Sequence, residues 1–124
     1  MAKLVKVGVG NADDFFKRSL ARAQKLDQGE KLLPEMRVTF EDPAELMRAL
    51  TAKRVDLIAA IRRHPAGLSE LAQTLNRDRA AVDRDVKVLA SLGLLKTVWE
   101  VNPGHGRKKI VQPLASRYEL VAVI

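Results

Sequence analysis

The residues best suited to chemistry are long cations, and they gather in two short stretches of the chain. The first stretch, residues 77–87, reads RDRAAVDRDVK and mixes cations with small residues and aspartates. Guanidinium and ammonium groups hydrogen-bond to phosphate oxygens and to the acceptor edge of guanine, and a small residue lets a backbone approach closely. This composition predicts a surface that binds a polyanion. Its candidate contacts are Arg77, Arg79, Ala81, Arg84 and Lys87.

The second stretch follows the turn signal NPGHG at residues 102–106 and begins with RKK. Residues 96–124 hold five basic and two acidic side chains, so much of the local positive charge lies here. Apolar and β-branched residues flank the turn on both sides, which predicts a β-hairpin with a basic tip. The candidate phosphate contacts on this hairpin are His105, Arg107, Lys108 and Lys109.

Two helices are needed to position the first stretch. Apolar residues recur at helical spacing over residues 68–75, with Ser69 as the expected N-cap. Asn76-Arg77-Asp78 predicts a tight polar corner, and a second helix then runs to about Leu92, with Gly93 as its left-handed stop. The inward residues of the second helix are Val82, Val86 and Leu89.

The order helix, helix, basic helix, strand, basic turn, strand predicts a winged helix-turn-helix. The third helix would enter the major groove of DNA, and the hairpin, or wing, would lie along the backbone. Ser69 and Thr74 on the preceding helix are further candidate phosphate contacts. The expected class is therefore α+β, mainly α, with a winged-helix domain over residues 42–124 and an N-terminal strand-helix-strand extension over residues 1–41.

The helix of the N-terminal extension, from Asn11 to about Gln28, carries an apolar stripe on one side. The stripe has two interpretations that the sequence does not separate: it packs on the chain's own core, or it contacts a second copy or a partner protein. Its large residues are Phe15, Phe16, Leu20 and Leu26.

Gly8-Val9-Gly10 precedes this helix and resembles the start of a dinucleotide-binding turn. The third glycine of that fingerprint would fall at Asp13, where a carboxylate repels a pyrophosphate. We also expect no convincing second parallel strand, so a plain strand-to-helix turn is the prediction.

Composition excludes several other classes. Apolar residues make up 47% of the 124 residues and the formal net charge is +7, which suits one domain with a polyanionic partner. There is no cysteine, so neither a disulfide framework nor a thiolate metal site is expected. No apolar run approaches the roughly 20 residues of a membrane span. Without an export signal, a cytoplasmic protein is expected.

Catalysis is not expected. The only two histidines, His64 and His105, have no plausible catalytic partner nearby in sequence, and no ligand set predicts a metal or cofactor.

The phrases L-T-x-K-R at residues 50–54 and E-L-A-x-x-L-x-R-D at residues 70–78 resemble small winged-helix regulators of bacteria and archaea. More broadly, the chain is similar to the MarR and ArsR type; the narrower resemblance runs from Phe40 to Val123 and includes antitoxins of the TumA kind. The resemblance implies a homodimeric repressor that binds double-stranded DNA at its own promoter and holds a cognate toxin through another surface.

One rival remains open: a winged helix that binds proteins and never touches DNA. Asp78, Asp83 and Asp85 reduce the positive charge of the supposed recognition helix, which favours this rival.

Overall fold

The computed structural model of the protein describes residues 2–30, 35–122 and 124. The described helices and strands mix in the predicted α+β manner. In chain order they are β1 Ala2–Val9, α1 Ala12–Asp27, β2 Glu35–Phe40, α2 Pro43–Ala49, α3 Ala52–Arg63, β3 Ala66–Gly67, α4 Leu68–Leu75, α5 Arg79–Ser91, β4 Leu95–Asn102, β5 Gly106–Pro113 and β6 Ala115–Leu120. Within these residues, no helix combines the length and the apolar character needed to cross a bilayer.

The winged helix-turn-helix lies within residues 52–113, where α3, α4 and α5 pack together and β4 and β5 form the hairpin. The short strand β3 pairs with β5, so the strand order is β3-β5-β4, with antiparallel pairing throughout. Aliphatic side chains fill the core between the helices and this sheet. The largest fully buried ones here are Leu57, Ile61, Leu71, Val82, Val86, Leu89, Leu94 and Val111.

Side chains cap the first turns of α2 and α3. The Asp42 carboxylate accepts a hydrogen bond from the backbone N–H of Glu45 at 2.9 Å, and the Thr51 hydroxyl accepts one from the N–H of Arg54 at 3.4 Å. Two large apolar residues of these helices are exposed: Met47 on α2 and Val55 on α3. Each lies at the edge of its helix's apolar stripe, where spacing does not decide burial.

β1 is the central strand of a second sheet and pairs in parallel with β2 on one side and β6 on the other. Val5 and Val7 of β1 are fully buried, so one face of this sheet joins the core. The other face carries charge, because Lys6 of β1 lies beside Arg37 of β2. Since α1 connects β1 to β2, the segment is a parallel βαβ unit.

This parallel pairing corrects the expectation that no second parallel strand follows α1. The alternation of Met36, Val38 and Phe40 marks a strand with one buried face but carries no information about the direction of its neighbour. Hydrogen bonds within the chain stabilise the turn between β1 and α1. The Asn11 side chain accepts from the N–H of Asp14, and the Asp14 carboxylate accepts from the N–H of Asn11, both at 3.1 Å.

β6 joins the two parts of the chain. It follows the wing directly, yet it pairs with β1 of the N-terminal extension. The predicted boundary at residues 41 and 42 stays a prediction, but this sheet contains strands from both sides of it. β6, the last strand, ends at Leu120.

Tyr118 on β6 links this sheet to the end of the helix-turn-helix. Its hydroxyl donates to the carbonyl of Leu94 at 2.6 Å and accepts from the N–H of Leu114 at 2.9 Å. Because burial favours the neutral phenol, the pKa of Tyr118 is raised above its ordinary value, despite the hydrogen bond from Leu114, which acts the other way.

We expect Tyr118→Phe to lower the free energy of unfolding by about 1–2 kcal/mol, because the Leu94 carbonyl and the Leu114 N–H lose their partner. A raised folded-state pKa stabilises the fold fully below the unfolded value of about 10, and this contribution is lost as pH rises through the folded value. Urea unfolding at neutral and alkaline pH measures both effects. An alkaline loss of stability as large in the variant as in the natural chain would contradict this role of Tyr118.

Candidate nucleic-acid interface

The corner between α4 and α5 is the tight polar turn that the sequence predicts. Asn76 adopts the left-handed conformation with φ 51°, and the N–H of Arg77 donates to the carbonyl of Ala72 at 3.0 Å. Asp78 caps α5 by accepting from the N–H of Ala81 at 3.3 Å. Gly93, with φ 75°, follows α5 as predicted. These contacts fix the angle at which α5 leaves the turn.

The predicted N-cap of the preceding helix is wrong. α4 begins at Leu68, one residue before Ser69, and Gly67 occupies the N-cap position with no side-chain hydrogen bond. The reason is that Ala66 and Gly67 pair with β5, and buried Leu68 then anchors the first turn of α4 in the core. Ser69 is therefore exposed within the first turn, and Thr74 is exposed near the end of the helix.

α5 buries the predicted apolar stripe and presents a basic stripe to solvent. Val82, Val86 and Leu89 are fully buried, whereas the side chains of Arg79, Arg84 and Lys87 are exposed, as predicted. Ala80 is exposed on the same side, and Ala81 is half-buried. The small residue on the outward side is therefore Ala80 rather than Ala81. The sequence RAAV contains both, and only the exact orientation of the helix separates them.

Arg77, a predicted groove contact, faces the protein instead. Its guanidinium donates to Asp85 at 2.7 Å, and Arg54 of α3 donates to the other carboxylate oxygen of Asp85 at 3.0 Å. These three side chains are 14–21% exposed. Arg54 also donates to the carbonyl of Ala49 at 2.9 Å, which ties α2 to the same cluster. Arg77 thus positions the turn, and it is not free for a ligand.

Burial by itself raises the pKa of Asp85. The hydrogen bonds and charges of Arg77 and Arg54 outweigh it and hold the pKa of this carboxyl below its ordinary value. Asp85 is therefore a charged structural group on the protein-facing side of α5.

The wing is the antiparallel hairpin of β4 and β5, and its turn contains His105, whose N–H donates to the carbonyl of Asn102 at 2.9 Å. Gly104 and Gly106 have φ near 80°, a conformation that suits glycine. The three basic residues after the turn lie within β5 and not at the tip itself, which differs from the prediction. The strand is longer than its apolar residues suggested, because β4 pairs with it as far as Gly106.

The basic side chains of the wing point in different ways. Arg107 lies over the ring of Trp99, 5.5 Å from its centroid, and both are exposed. Lys108 forms an ion pair with Glu70 of α4, and Lys109 forms one with Asp83 of α5 at 3.5 Å. The wing is thereby held against the helices, and an open cleft lies between α4, α5 and the hairpin.

The residues that line this cleft also include Glu70, Asp83 and Trp99, which sequence reasoning did not assign to the site. Asp83 also pairs with Lys87 at 3.1 Å. The hydrogen bond from Lys87 lowers the pKa of Asp83, helped by the charge of Lys109, and a hydrogen bond from Lys108 lowers the pKa of Glu70. The i, i+4 spacing of Asp83 and Lys87 was a usable signal for one pair. No comparable signal in the sequence predicts the contacts that Glu70 and Asp83 make with the lysines of the wing.

The apolar stripe of α1 is exposed. Its large side chains do not pack on the chain's own core, so that alternative is wrong for them, while Arg22 of α1 reaches the sheet and pairs with Glu35 at 3.4 Å. The exposed fractions are 64% for Phe15, 68% for Phe16, 51% for Leu20 and 59% for Leu26. Elsewhere, no group of three potential metal ligands occurs among the residues that the structure describes.

The helical corner, the outward basic stripe and the hairpin beside it define a winged helix-turn-helix protein. Within this class the chain belongs to the HVO_A0114 family, whose sequence model matches residues 49–114, just over half of the chain. The match covers α3 through the end of β5 and so contains the whole cleft. No curated protein matches the sequence.

Among solved structures, a possible transcriptional regulator from Methanosarcina mazei Go1 is similar at 20% identity and TM-score 0.50, over 61% of this chain and 68% of that one. A transcriptional regulator homologue from Pyrococcus horikoshii OT3 matches at 18% identity and TM-score 0.44, over 56% and 75%. The zinc-responsive MarR family member ZitR of Lactococcus lactis matches at 16% identity and TM-score 0.47, over 83% and 66%. The similarity to the Methanosarcina mazei structure shows that the two proteins share the winged-helix fold.

We expect Asp85→Asn to lower the free energy of unfolding by about 2–4 kcal/mol, because two largely buried guanidinium groups lose their counter-charge. Since the folded-state pKa of Asp85 is depressed, its stabilisation is present above the unfolded value of about 3.9 and is lost as pH falls through the folded value. Chemical denaturation at neutral and acidic pH tests both points. Asp56→Asn, at an exposed position of α3, is the matched control; equal losses in the two variants would refute the assignment.

Proposed function

We propose that the protein is a sequence-specific DNA-binding regulator of transcription that acts as a repressor, with no catalytic activity. The observation that carries this proposal is the exposed stripe of Arg79, Arg84 and Lys87 on a helix whose opposite side is buried. A helix held in this way fits the width of the major groove. The wing beside it supplies further cations.

The exposure of each side chain indicates which contact it would make in a complex with DNA. Arg84, exposed in the second turn of α5, is placed to read a guanine through its acceptor pair O6 and N7. Ala80 lets α5 approach the bases closely. The wing side chains Arg107 and His105 are exposed and would contact phosphates, as would Ser69 and Thr74 from α4.

The acidic residues that favoured a protein-binding module have other partners here. Asp78 caps α5, Asp85 holds two arginines on the protein side, and Asp83 pairs with lysines. These carboxylates are therefore engaged within the chain, whereas Arg79 and Arg84 of α5 form no ion pair in the part of the chain that the structure describes. This distribution of charge supports the DNA-binding proposal over the protein-binding one.

The exposed stripe of α1 is the surface that we assign to a second copy of the chain. α1 has Asp13 and Asp14 in its first turn and Lys25 in its last. In a dimer whose twofold axis is perpendicular to α1, the two copies of α1 would be antiparallel, so that each acidic end meets a basic end. A dimer of this kind would present two copies of α5 to a palindromic site.

Autoregulation and the antitoxin role depend on the resemblance to regulators of the TumA kind, and both stay predictions. A cognate toxin would need a surface other than the DNA cleft.

We expect Arg84→Ala to reduce discrimination against one base pair of the binding site by roughly 1–3 kcal/mol, because only a base-reading arginine carries sequence information. Arg107→Ala should weaken binding to every sequence alike and flatten the dependence on salt, as loss of a phosphate contact does. The measurement is a fluorescence anisotropy titration with the protein's own upstream DNA and random duplex at two salt concentrations. Equal loss of specificity in both variants would contradict these roles, and absence of any preference over random DNA would contradict the function.

We expect Phe16→Glu to convert a dimer to a monomer, because a carboxylate would then lie in the apolar contact of α1. Ala21→Glu adds the same charge on the opposite side of the helix and should leave the dimer intact. Sedimentation of each purified variant measures the mass. A natural chain that sediments as a monomer would refute the assignment to a second copy.

A further inference from the structure

The cleft between the helices and the wing holds acidic side chains against its own lysines. Lys108 of β5 pairs with Glu70 of α4, and Gly67 makes room for that contact. A Cβ atom at position 67 would collide with Cε of Lys108, so an alanine there would push the lysine stem aside. The backbone at Gly67, φ −71° and ψ 163°, accepts alanine without strain.

Asp83 makes a similar contact from α5. It lies between Lys87 at 3.1 Å and Lys109 at 3.5 Å, so one carboxylate engages a cation of the recognition helix and a cation of the wing. Asp83 and Lys109 are both about three-quarters buried, which limits screening by solvent. The contact holds the wing to α5 along the side that DNA would approach.

Three of the five basic side chains that line the cleft thus form ion pairs within the chain: Lys87, Lys108 and Lys109. The other two, Arg79 and Arg107, form no ion pair with any residue in the described part of the chain. A phosphate that takes the place of a carboxylate on one of these three lysines does so beside the negative charge that it displaces.

We propose that Glu70 and Asp83 set a threshold for binding to DNA by competing with its phosphates for the lysines of the cleft. This inference rests on the proposed function. The competition weakens binding to DNA of every sequence by the same exchange. Random duplex, which offers only phosphate contacts, then falls below the threshold, whereas a site that also satisfies the base-reading side chains exceeds it.

The test compares Glu70→Gln, Asp83→Asn and Gly67→Ala with the natural chain, with Asp56→Asn as the control for loss of a negative charge outside the cleft. Two measurements are made on each: affinity for random duplex at fixed salt, and the salt concentration that elutes the protein from heparin. Heparin presents a polyanion without bases, so this second readout does not require that DNA is the natural ligand. Thermal melting checks that each variant is folded.

We expect Glu70→Gln and Asp83→Asn each to bind random duplex about two- to fivefold more tightly, the range that corresponds to one ion pair of the surface type. Both should elute from heparin at higher salt, and Asp56→Asn should change neither value. Gly67→Ala should also bind more tightly, although its net charge equals that of the natural chain, because it releases Lys108 from Glu70. Because the exchange is the same for every sequence, the ratio of affinities for the preferred site and random duplex should stay constant, whereas the occupancy of random duplex at a given protein concentration should rise.

The outcomes separate the inference from the function on which it rests. Tighter binding by the two acidic-residue variants without any change in Gly67→Ala would show simple loss of repulsion and overturn the exchange of partners. Specific DNA binding with all three variants unchanged would refute the inference and leave the function standing. Higher heparin elution in all three without preference for upstream DNA would support the exchange and refute the proposed regulator.

Discussion

The carboxylate of Asp85 fixes the geometry on which the rest of the winged helix depends. It lies in the middle of α5 and receives hydrogen bonds from α3 through Arg54 and from the turn through Arg77. Arg54 in turn donates to two carbonyl groups at the end of α2. One largely buried charge therefore determines how α2, α3 and the turn sit around α5. Removing a charge from such a cluster costs more than the cluster contributes, since its partners stay buried.

This constraint also decides which cations are free. Arg77 and Arg84 are the same residue type on the same short segment. Arg77 nevertheless forms an ion pair with Asp85, whereas Arg84 is exposed to solvent. Local spacing alone could not distinguish these two arginines, because the cluster that holds Arg77 also contains Arg54, which lies 31 residues before Asp85 in the chain. The lysines of the wing show the same effect, since their acidic partners lie on α4 and α5. What a basic residue can bind depends here on contacts that are distant in sequence.

Periodicity was sufficient for the elements themselves. Helical spacing of Val82, Val86 and Leu89 predicted the buried side of α5, and all three are fully buried. The turn chemistry of Asn76 and Gly93 was equally predictable, because both positions need a positive φ. The pairing of the strands was not predictable, because alternation in β2 and β6 identifies a half-buried strand but indicates neither its direction nor its neighbour. The turn and the buried side of α5 thus follow from local sequence, whereas the strand pairing of the N-terminal sheet does not.

That sheet explains why the apolar stripe of α1 has no cover within the described chain. α1 approaches the sheet over a face that carries Lys6, Glu35 and Arg37, and it does so through Arg22. A helix that meets a charged face with an arginine must turn its phenylalanines elsewhere, because burying them there would leave those charges unsolvated. The same sheet reaches the corner after α5 through Tyr118. A partner that covers α1 is therefore connected to α5 through β6. The position of that partner would affect where α5 lies.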